Sequence, residues 1–578
     1  MRSIDVNAFK RIIKKYYMIS ATFLFLALSL LIVLPYLYGR PIANIYDLQF
    51  HLTRLQETFL NMKNGDILNL VPDVSTMTFG SIVYPQNLFY PVYTLIPEAL
   101  IHLLIGNAWI SYILFISLVN FLIFMSMFVT TLKITESKVA ALFSALLYGF
   151  TQFELTYVFV KQDIAQAMAL IFVPVIFYGA YLIFVGNYRR WYILSIGMTL
   201  LIFTHIISVF MVTIFIVLLF GLLIINKLTK REVFVRTSYF VLSGIVTILL
   251  SIFFLGPLVN NYLYAGGITV TKWNLYLSTV NIQQALFNFL PSSNGETTIG
   301  VGVSGLMSLI IIFSTFRKFN VLFKYLTGML IVFFILSSNL FPWQIFNQKL
   351  EFIQSPWRFF LIVCYLLALI SGYGLAFLLK KDSSIVATAM LVVFILVSSF
   401  TAANMYIKQD AADKPNEVKS FVTNYKFFEK FEVKSTILDY LPSKTGNQAG
   451  NLLNHSISGL NKGKNIRLSK YEITKNGVKY NAISSKNYSK IILPNIYYPG
   501  YHVQINGREI KPKINNDKLL VVPIKNGNNK VHVYYLKTNL QIVTLCISVI
   551  SWIGIIIFIS VMKYRIKSDI DFIHRKIE

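Results

Sequence analysis

The sequence predicts a polytopic α-helical membrane protein of about twelve transmembrane helices, with an extracytoplasmic antiparallel β domain set in before the last helix. Three observations predict it. Apolar runs of about 20 residues, enough to cross a bilayer, recur through the 578 residues. Hydrophobic residues make up 56% of the chain and charged residues only 13%, with a mean hydropathy of +0.62. Finally, the stretch of about 404–537 departs from that composition toward Gly, Asn, Ser and Lys.

The first apolar run, Tyr17 to Tyr38, follows Arg2, Lys10, Arg11, Lys14 and Lys15. It is too long for a signal-peptide core and has no small-residue cleavage site, so it reads as an uncleaved span with its basic flank in the cytoplasm. A long outer loop, 40–107, comes next. Its last third, Leu88 to Ile105, is apolar, but Pro91, Pro97 and Glu98 mark a segment lying in the outer interface rather than crossing. With that segment left outside, the basic turns at Lys133/Lys138, Arg189/Arg190, Lys227/Lys230/Arg231/Arg236, Arg317/Lys318/Lys324 and Lys380/Lys381, and the tail at Lys563/Arg565/Lys567, all fall on the cytoplasmic side. Spans are expected near 17–39, 108–132, 138–157, 164–186, 190–206, 207–226, 237–259, 298–315, 321–339, 358–379, 384–403 and 539–562, with both termini cytoplasmic. This gives a membrane domain over 1–403, a β-rich domain over 404–537, and a final helix and tail over 538–578.

In the β-rich region, alternating runs at Lys490–Ile496, Gly500–Ile505, Lys518–Ile524 and Lys530–Leu536 are separated by Asn506-Gly507, Asn515-Asn516-Asp517 and Asn526-Gly527, which predicts a small sandwich or half-barrel. The region holds 22 Lys/Arg against 9 Asp/Glu. A translocated domain escapes charge sorting, so this excess reads either as affinity for an anionic polymer or lipid head groups, or as a generic basic surface. Elsewhere topology accounts for most of the surplus of Lys and Arg, 52 against 25 acids, and nucleic acid is not indicated. Cys364 and Cys546 both sit in apolar runs and read as small buried hydrophobes.

The candidate chemistry begins in the first outer loop. A helix over Ile45–Lys63, stopped at Gly65, places Asp47, His51 and Arg54 at i, i+4 and i+7 on one face, beside an apolar stripe of Leu48, Leu52, Leu55 and Phe59. Such a face is either the start of an active site or an ordinary amphipathic surface. Lys161 and Asp163, His205 and Arg358 stand at the outer ends of later spans, at the same depth. Taken singly, Arg358 reads equally as an interfacial anchor beside Trp357, and His205 as a satisfied core histidine. Their shared level points to one polar chamber. No Walker loop, dinucleotide glycine pattern or His-Glu-x-x-His motif is present.

Asp47-Leu48-Gln49-Phe50-His51-Leu52-Thr53-Arg54, Tyr84-Pro85, Lys161-Gln162-Asp163 and Thr204-His205 resemble the outer-face landmarks of GT-C glycosyltransferases. Gln354-Ser355-Pro356-Trp357-Arg358-Phe359, Asp439-Tyr440-Leu441-Pro442 and Tyr497-Tyr498-Pro499-Gly500-Tyr501 are similar to YfhO-type bacterial membrane proteins, some labelled 6-pyruvoyl-tetrahydropterin synthase-related. The resemblance implies a GT-C-like fold. It also implies transfer of a sugar from a polyprenyl-phosphate donor to an anionic envelope glycopolymer such as teichoic acid, on the outer face of the cytoplasmic membrane. In that reading Asp47 is the base, and Asp163 a second carboxylate holding an acceptor hydroxyl, a cation or a metal. Arg358, Lys161 and Arg54 stabilise the leaving phosphate, while His51, His205, Tyr84 and Trp357 contact substrate. No metal ligand set is defined, and a divalent cation is left open as a cofactor. A transporter or flippase of lipid-linked precursors, or a non-catalytic assembly scaffold, are the alternatives.

Overall fold

The computed structural model describes residues 16–37, 47–65, 74, 83, 86–226, 228–268, 274–287, 299–379, 439–474 and 476–577. In chain order its principal helices are α1 (Tyr17–Leu37), α2 (Leu48–Lys63), α3 (Ile96–Ile105), α4 (Ala108–Thr135), α5 (Lys138–Gly149), α6 (Gln152–Thr156), α7 (Ile164–Phe184), α8 (Tyr192–Ile202), α9 (Ile206–Leu219), α10 (Lys230–Ala265), α11 (Gly302–Thr315), α12 (Val321–Ser337), α13 (Phe360–Leu378) and α14 (Asn539–Ile577). Among the described residues eight helical segments are long and apolar enough to cross a membrane. Three of the twelve expected spans instead form helices of 11, 14 and 17 residues, namely α8, α11 and α12. The span expected at 384–403 lies outside the described residues. The segment expected to stay in the interface forms the ten-residue α3, with Pro97 in its first turn, and packs between α2 and α4.

Small residues let the helices approach closely where no hydrophobic force distinguishes protein from lipid. A Cβ on Gly372 of α13 would meet Ser144 Oγ of α5 at 2.1 Å and the Ala140 carbonyl at 2.7 Å, and one on Gly179 of α7 would meet the Leu194 backbone nitrogen of α8 at 2.5 Å. α5, α7 and α13 are buried along most of their length, whereas α10 and α14 pack on each other at the edge. A bond from Ser548 Oγ to the Leu249 carbonyl, 3.2 Å, ties that edge pair. Cys364 on α13 is buried as expected, but Cys546 on α14 is exposed, because α14 is covered on one side only.

Among the described residues the β region has eight strands in two antiparallel sheets. β1 (Ile466–Thr474), β2 (Gly477–Ser484), β8 (Gly527–Tyr535), β4 (Tyr501–Ile505) and β5 (Arg508–Ile510) form one, in that order; β3 (Tyr488–Ile496), β7 (Leu519–Ile524) and β6 (Lys513–Ile514) form the other. Inward residues of both, including Val478, Tyr480, Ile491, Leu493, Val522 and Val533, share one apolar core, as period-two alternation requires of a sandwich. All four runs predicted as strands are strands. β1 and β2 escaped the sequence reading because Lys470, at φ +51°, breaks the alternation of β1 where its register with β2 shifts.

The sandwich is tied to α10 through Lys518, which donates to the Tyr264 carbonyl at 3.0 Å, and to the loop before α3 through Tyr501, whose hydroxyl donates to the Val83 carbonyl at 3.2 Å. Replacing Gly372 with Ala is expected to destabilise the detergent-solubilised protein by about 1–3 kcal/mol through overpacking. Gly328→Ala, on α12 where a Cβ meets nothing within 4 Å, leaves thermal unfolding unchanged or slightly raised. Equal midpoints for the two variants would refute the close-approach account.

Candidate active site

Asp47 stands at the N-cap of α2, not inside the helix as expected, and its side chain makes no capping bond. The apolar stripe behaves as the spacing predicts: Leu48, Leu52 and Leu55 are buried, and Phe59 stacks on His102 of α3 at 3.6 Å between centroids. That anchors α2 and turns His51 and Arg54 inward, at 1% and 2% exposure.

A second contribution comes from the junction between α6 and α7. Here Tyr157–Lys161 widen into a π-turn, Gln162 takes a left-handed conformation at φ +52°, and Asp163 caps α7 by accepting from the Gln166 N–H at 3.0 Å. The same carboxylate oxygen lies 3.0 Å from His51 Nε2. Arg54 Nη1 is 3.2 Å from His51 Nδ1. A guanidinium only donates, so His51 Nδ1 accepts and Nε2 carries the proton given to Asp163. His51 is thus strung between a carboxylate and a guanidinium. Arg54 also donates through Nη2 to the Pro91 carbonyl and lies over the Tyr90 ring, 4.2 Å from its centroid.

The other wall is cationic. Lys161 Nζ lies 3.9 Å from the centroid of the Trp357 ring, and Arg358 Cζ 5.2 Å from it. Arg358 donates from Nη1 to Gln354 Oε1 at 2.6 Å, and its Nε is buried with no partner among the described residues. Gln354 sits at φ +62° and Tyr440 at φ +66°. These two and Gln162 are non-glycine residues in the left-handed half of backbone space, and all three border this chamber. His205 Nδ1 is 2.8 Å from Ser208 Oγ, which also accepts from Gln166 Nε2 at 3.3 Å. Tyr440 closes the chamber from the side of the sandwich, its ring 6.0 Å from Tyr90 and 6.3 Å from Phe50.

Burial and mutual charge set the protonation of these groups. Burial, reinforced by the Asp163 charge, raises Asp47 above the ordinary carboxylate range, against the pull of His51, Arg358 and Lys161. Asp163 moves the other way: burial would raise it, but the His51 hydrogen bond and the positive field including Arg358 hold it below the ordinary range. Burial lowers Lys161 to about 8, with Arg358 adding to the effect. Burial lowers His205 to about 3, so it is neutral at physiological pH. Two carboxylates driven apart in this way can divide labour, one taking protons and the other holding charge.

Eight of the nine site residues expected from sequence thus converge: Asp47, His51, Arg54, Lys161, Asp163, His205, Trp357 and Arg358. Tyr84 lies outside the described residues. Sequence reasoning left Gln354, Gln166, Ser208 and Tyr440 out of the site, although Gln354 and Tyr440 belong to the short motifs Gln-Ser-Pro-Trp-Arg-Phe and Asp-Tyr-Leu-Pro. Among the described residues no group of three or more His, Cys, Asp or Glu side chains is placed to hold a metal ion. Asp163→Ala, which removes the acceptor for His51 and the cap of α7, is expected to cost about 3 kcal/mol of stability. Asp163→Asn keeps the one oxygen that accepts both bonds and should cost clearly less in the same thermal melts. Indistinguishable losses would show that the hydrogen bonds do not organise the chamber.

No curated protein matches the chain in sequence. Among solved structures it is similar to a cryo-EM structure of the arabinofuranosyltransferase AftD from mycobacteria, at 13% identity and a TM-score of 0.44, over 67% of this chain and 27% of that one. A mutant of that protein scores 0.42, also at 13% identity, over 66% of this chain and 27% of that one. This chain therefore spans about a quarter of AftD's length, a likeness too distant to carry a mechanism. The family comparison is of another order: residues 76–427, well over half of the chain and including Lys161, Asp163, His205 and Arg358, match the model described as bacterial membrane protein YfhO, and the protein belongs to that family.

Proposed function

We propose that this multi-pass membrane protein is a GT-C-type glycosyltransferase, moving a sugar from a polyprenyl-phosphate-linked donor to an envelope glycopolymer such as teichoic acid. The chamber and the sandwich then face outward from the cytoplasmic membrane. The observation that carries the reading is the pairing of a raised carboxylate, Asp47, with two cations held on one tryptophan ring, Lys161 and Arg358, in a buried chamber between helices. Attack on an anomeric carbon needs a base for the acceptor hydroxyl and positive charge for the departing phosphate, and little else.

In the proposed step the acceptor oxygen bonds to the anomeric carbon while its proton passes to Asp47. The bond from that carbon to the phosphate oxygen breaks, and its electron pair leaves with the phosphate, which Lys161 and Arg358 receive. The unpartnered Arg358 Nε gives such an anion a donor already desolvated. Arg54 also has a positioning role beside the one expected of it. Its Nη groups donate to His51 and to the Pro91 carbonyl, so we read it as positioning His51 and Asp163, while its Nε, buried without a partner among the described residues like that of Arg358, keeps a donor for the phosphate. Tyr90 and Tyr440 line the acceptor side.

The test is transfer of labelled sugar from polyprenyl-phosphate donors by membranes carrying the protein. Asp47→Asn should lower the rate by roughly 10²- to 10⁴-fold with the fold intact. Undiminished transfer would remove Asp47 as the base, and no transfer by the unmodified protein across a broad donor panel would sink the reading itself.

The rate should be bell-shaped in pH. It falls on the acid side as Asp47 takes a proton, at a pH above the ordinary carboxylate range, and on the alkaline side as Lys161 loses its proton near pH 8. Lys161→Arg, which keeps its charge, should move the alkaline limb upward and leave the acid limb in place. An unmoved alkaline limb would rule out Lys161 as its source.

A further inference from the structure

The sandwich carries a second polar site, on the side of the five-stranded sheet turned away from its own core. Strand register brings the outward side chains into rows: Glu472, Lys479, His532, Gln504 and Glu509 in one, Asn481 beside Lys530 in the next, and His502 beside Tyr534 in a third. A cleft of about 420 Å³ opens over the first two rows, lined by Lys470, Glu472, Lys479, Asn481, Gln504, Lys530 and His532. The two carboxylates on this face are already engaged: Glu472 pairs with Lys470 at 2.5 Å, and Glu509 with His502 Nδ1 at 2.8 Å. Lys479 and Lys530 remain exposed and give the cleft a positive surplus.

The rings define the ligand further. His532 and Tyr534 stack at 4.8 Å and 27°, and Tyr534 and His502 at 5.5 Å and 22°, so three rings from neighbouring strands turn their faces toward one another. What they leave outward is edges: two imidazoles and a phenol oxygen, to which Gln504 Nε2 donates at 3.4 Å. Nucleobase recognition on a sheet uses open ring faces on which bases stack, and here stacking within the row already engages a face of each of the three rings. No aliphatic side chain stands in the rows named above to insert into a bilayer, so a membrane would be held by charge alone. Hydroxyl groups, by contrast, suit the edge donors and acceptors and the amides of Asn481 and Gln504, and anionic substituents suit Lys479 and Lys530.

We infer that this cleft binds a glycan chain carrying anionic groups, through Lys479, Lys530, Gln504, Asn481 and His532, with His502 and Tyr534 of the neighbouring row extending the surface beside it. The site is built from the sandwich alone and stands whether or not the chamber transfers sugar. Occupied, it would hold a polymer on the domain that also supplies Tyr440 to the chamber wall.

Binding of dextran sulfate by the full-length protein in detergent, with no sugar donor present, tests the inference against three probes: neutral dextran, inorganic polyphosphate, and vesicles of anionic phospholipid. Dextran sulfate should bind more tightly than any of them. The double variant Lys479→Glu/Lys530→Glu should weaken it at least about tenfold through charge reversal at the contact, and Tyr534→Ala severalfold. Lys511→Glu/Lys513→Glu, exposed and outside the cleft, should not. Circular dichroism melts confirm that each variant is folded. No binding of dextran sulfate, equal loss in both lysine pairs, equal affinity for polyphosphate, or variants that affect only vesicle binding would each overturn the assignment. Because no donor is present, these results are separate from whether Asp47 acts as a base.

Discussion

Burying charge in an apolar interior is tolerable only when each charge finds its counterpart, and the chain Asp163–His51–Arg54 is how this protein meets that constraint. Its members come from α2 and from the cap of α7, more than a hundred residues apart in sequence. Each depends on the others: the carboxylate accepts from the imidazole, the imidazole accepts from the guanidinium, and the guanidinium is closed off by a backbone carbonyl and a tyrosine face. Removing one leaves a desolvated group unpaired, so the chain fixes where α2 lies against the bundle. The position of Asp47, one turn before His51, follows from that.

Around this chain the backbone itself is bent to purpose. A π-turn at Tyr157–Lys161 and left-handed residues at Gln162, Gln354 and Tyr440 are each less stable locally than regular structure, yet they cluster at one chamber. Two of them serve the cations. The turn carries Lys161 to one side of the Trp357 ring, and Gln354 offers its amide oxygen to Arg358. A single indole thereby holds two like charges close together, an arrangement that an anion between them would relieve. The helices behind the chamber meet through glycine and serine, at separations where an added methyl group has no room.

The sandwich is joined to this chamber rather than appended to the bundle. Its core is continuous with Phe50 of α2 and with Phe89, and Tyr440 packs on Phe50, Phe89 and Tyr90. α14 returns the chain alongside α10, whose far end at Tyr264 receives Lys518. A continuous apolar core therefore lies between the sheet that carries the basic cleft and the tyrosine that borders the candidate active site.

Composition and periodicity alone determined the class of this protein, the extent of its long apolar helices, four strands of the sandwich and the face that joins His51 to Arg54, because these follow from patterns only a few residues in length. The site residues could be collected by depth for the same reason: a charge at the end of an apolar run has few places to go. Tertiary structure decided the rest. That Asp47 caps α2 instead of lying within it, that Arg54 reaches the Pro91 carbonyl, that His51 meets Asp163, that Lys161 and Arg358 share one ring, and that the register of β1 shifts at Lys470 were decided by the packing of segments against one another. No local pattern encodes which partner a buried charge will find, since that depends on which helices come together. The shortness of α8, α11 and α12 is of the same kind, for hydropathy reports how apolar a run is and not where packing breaks it.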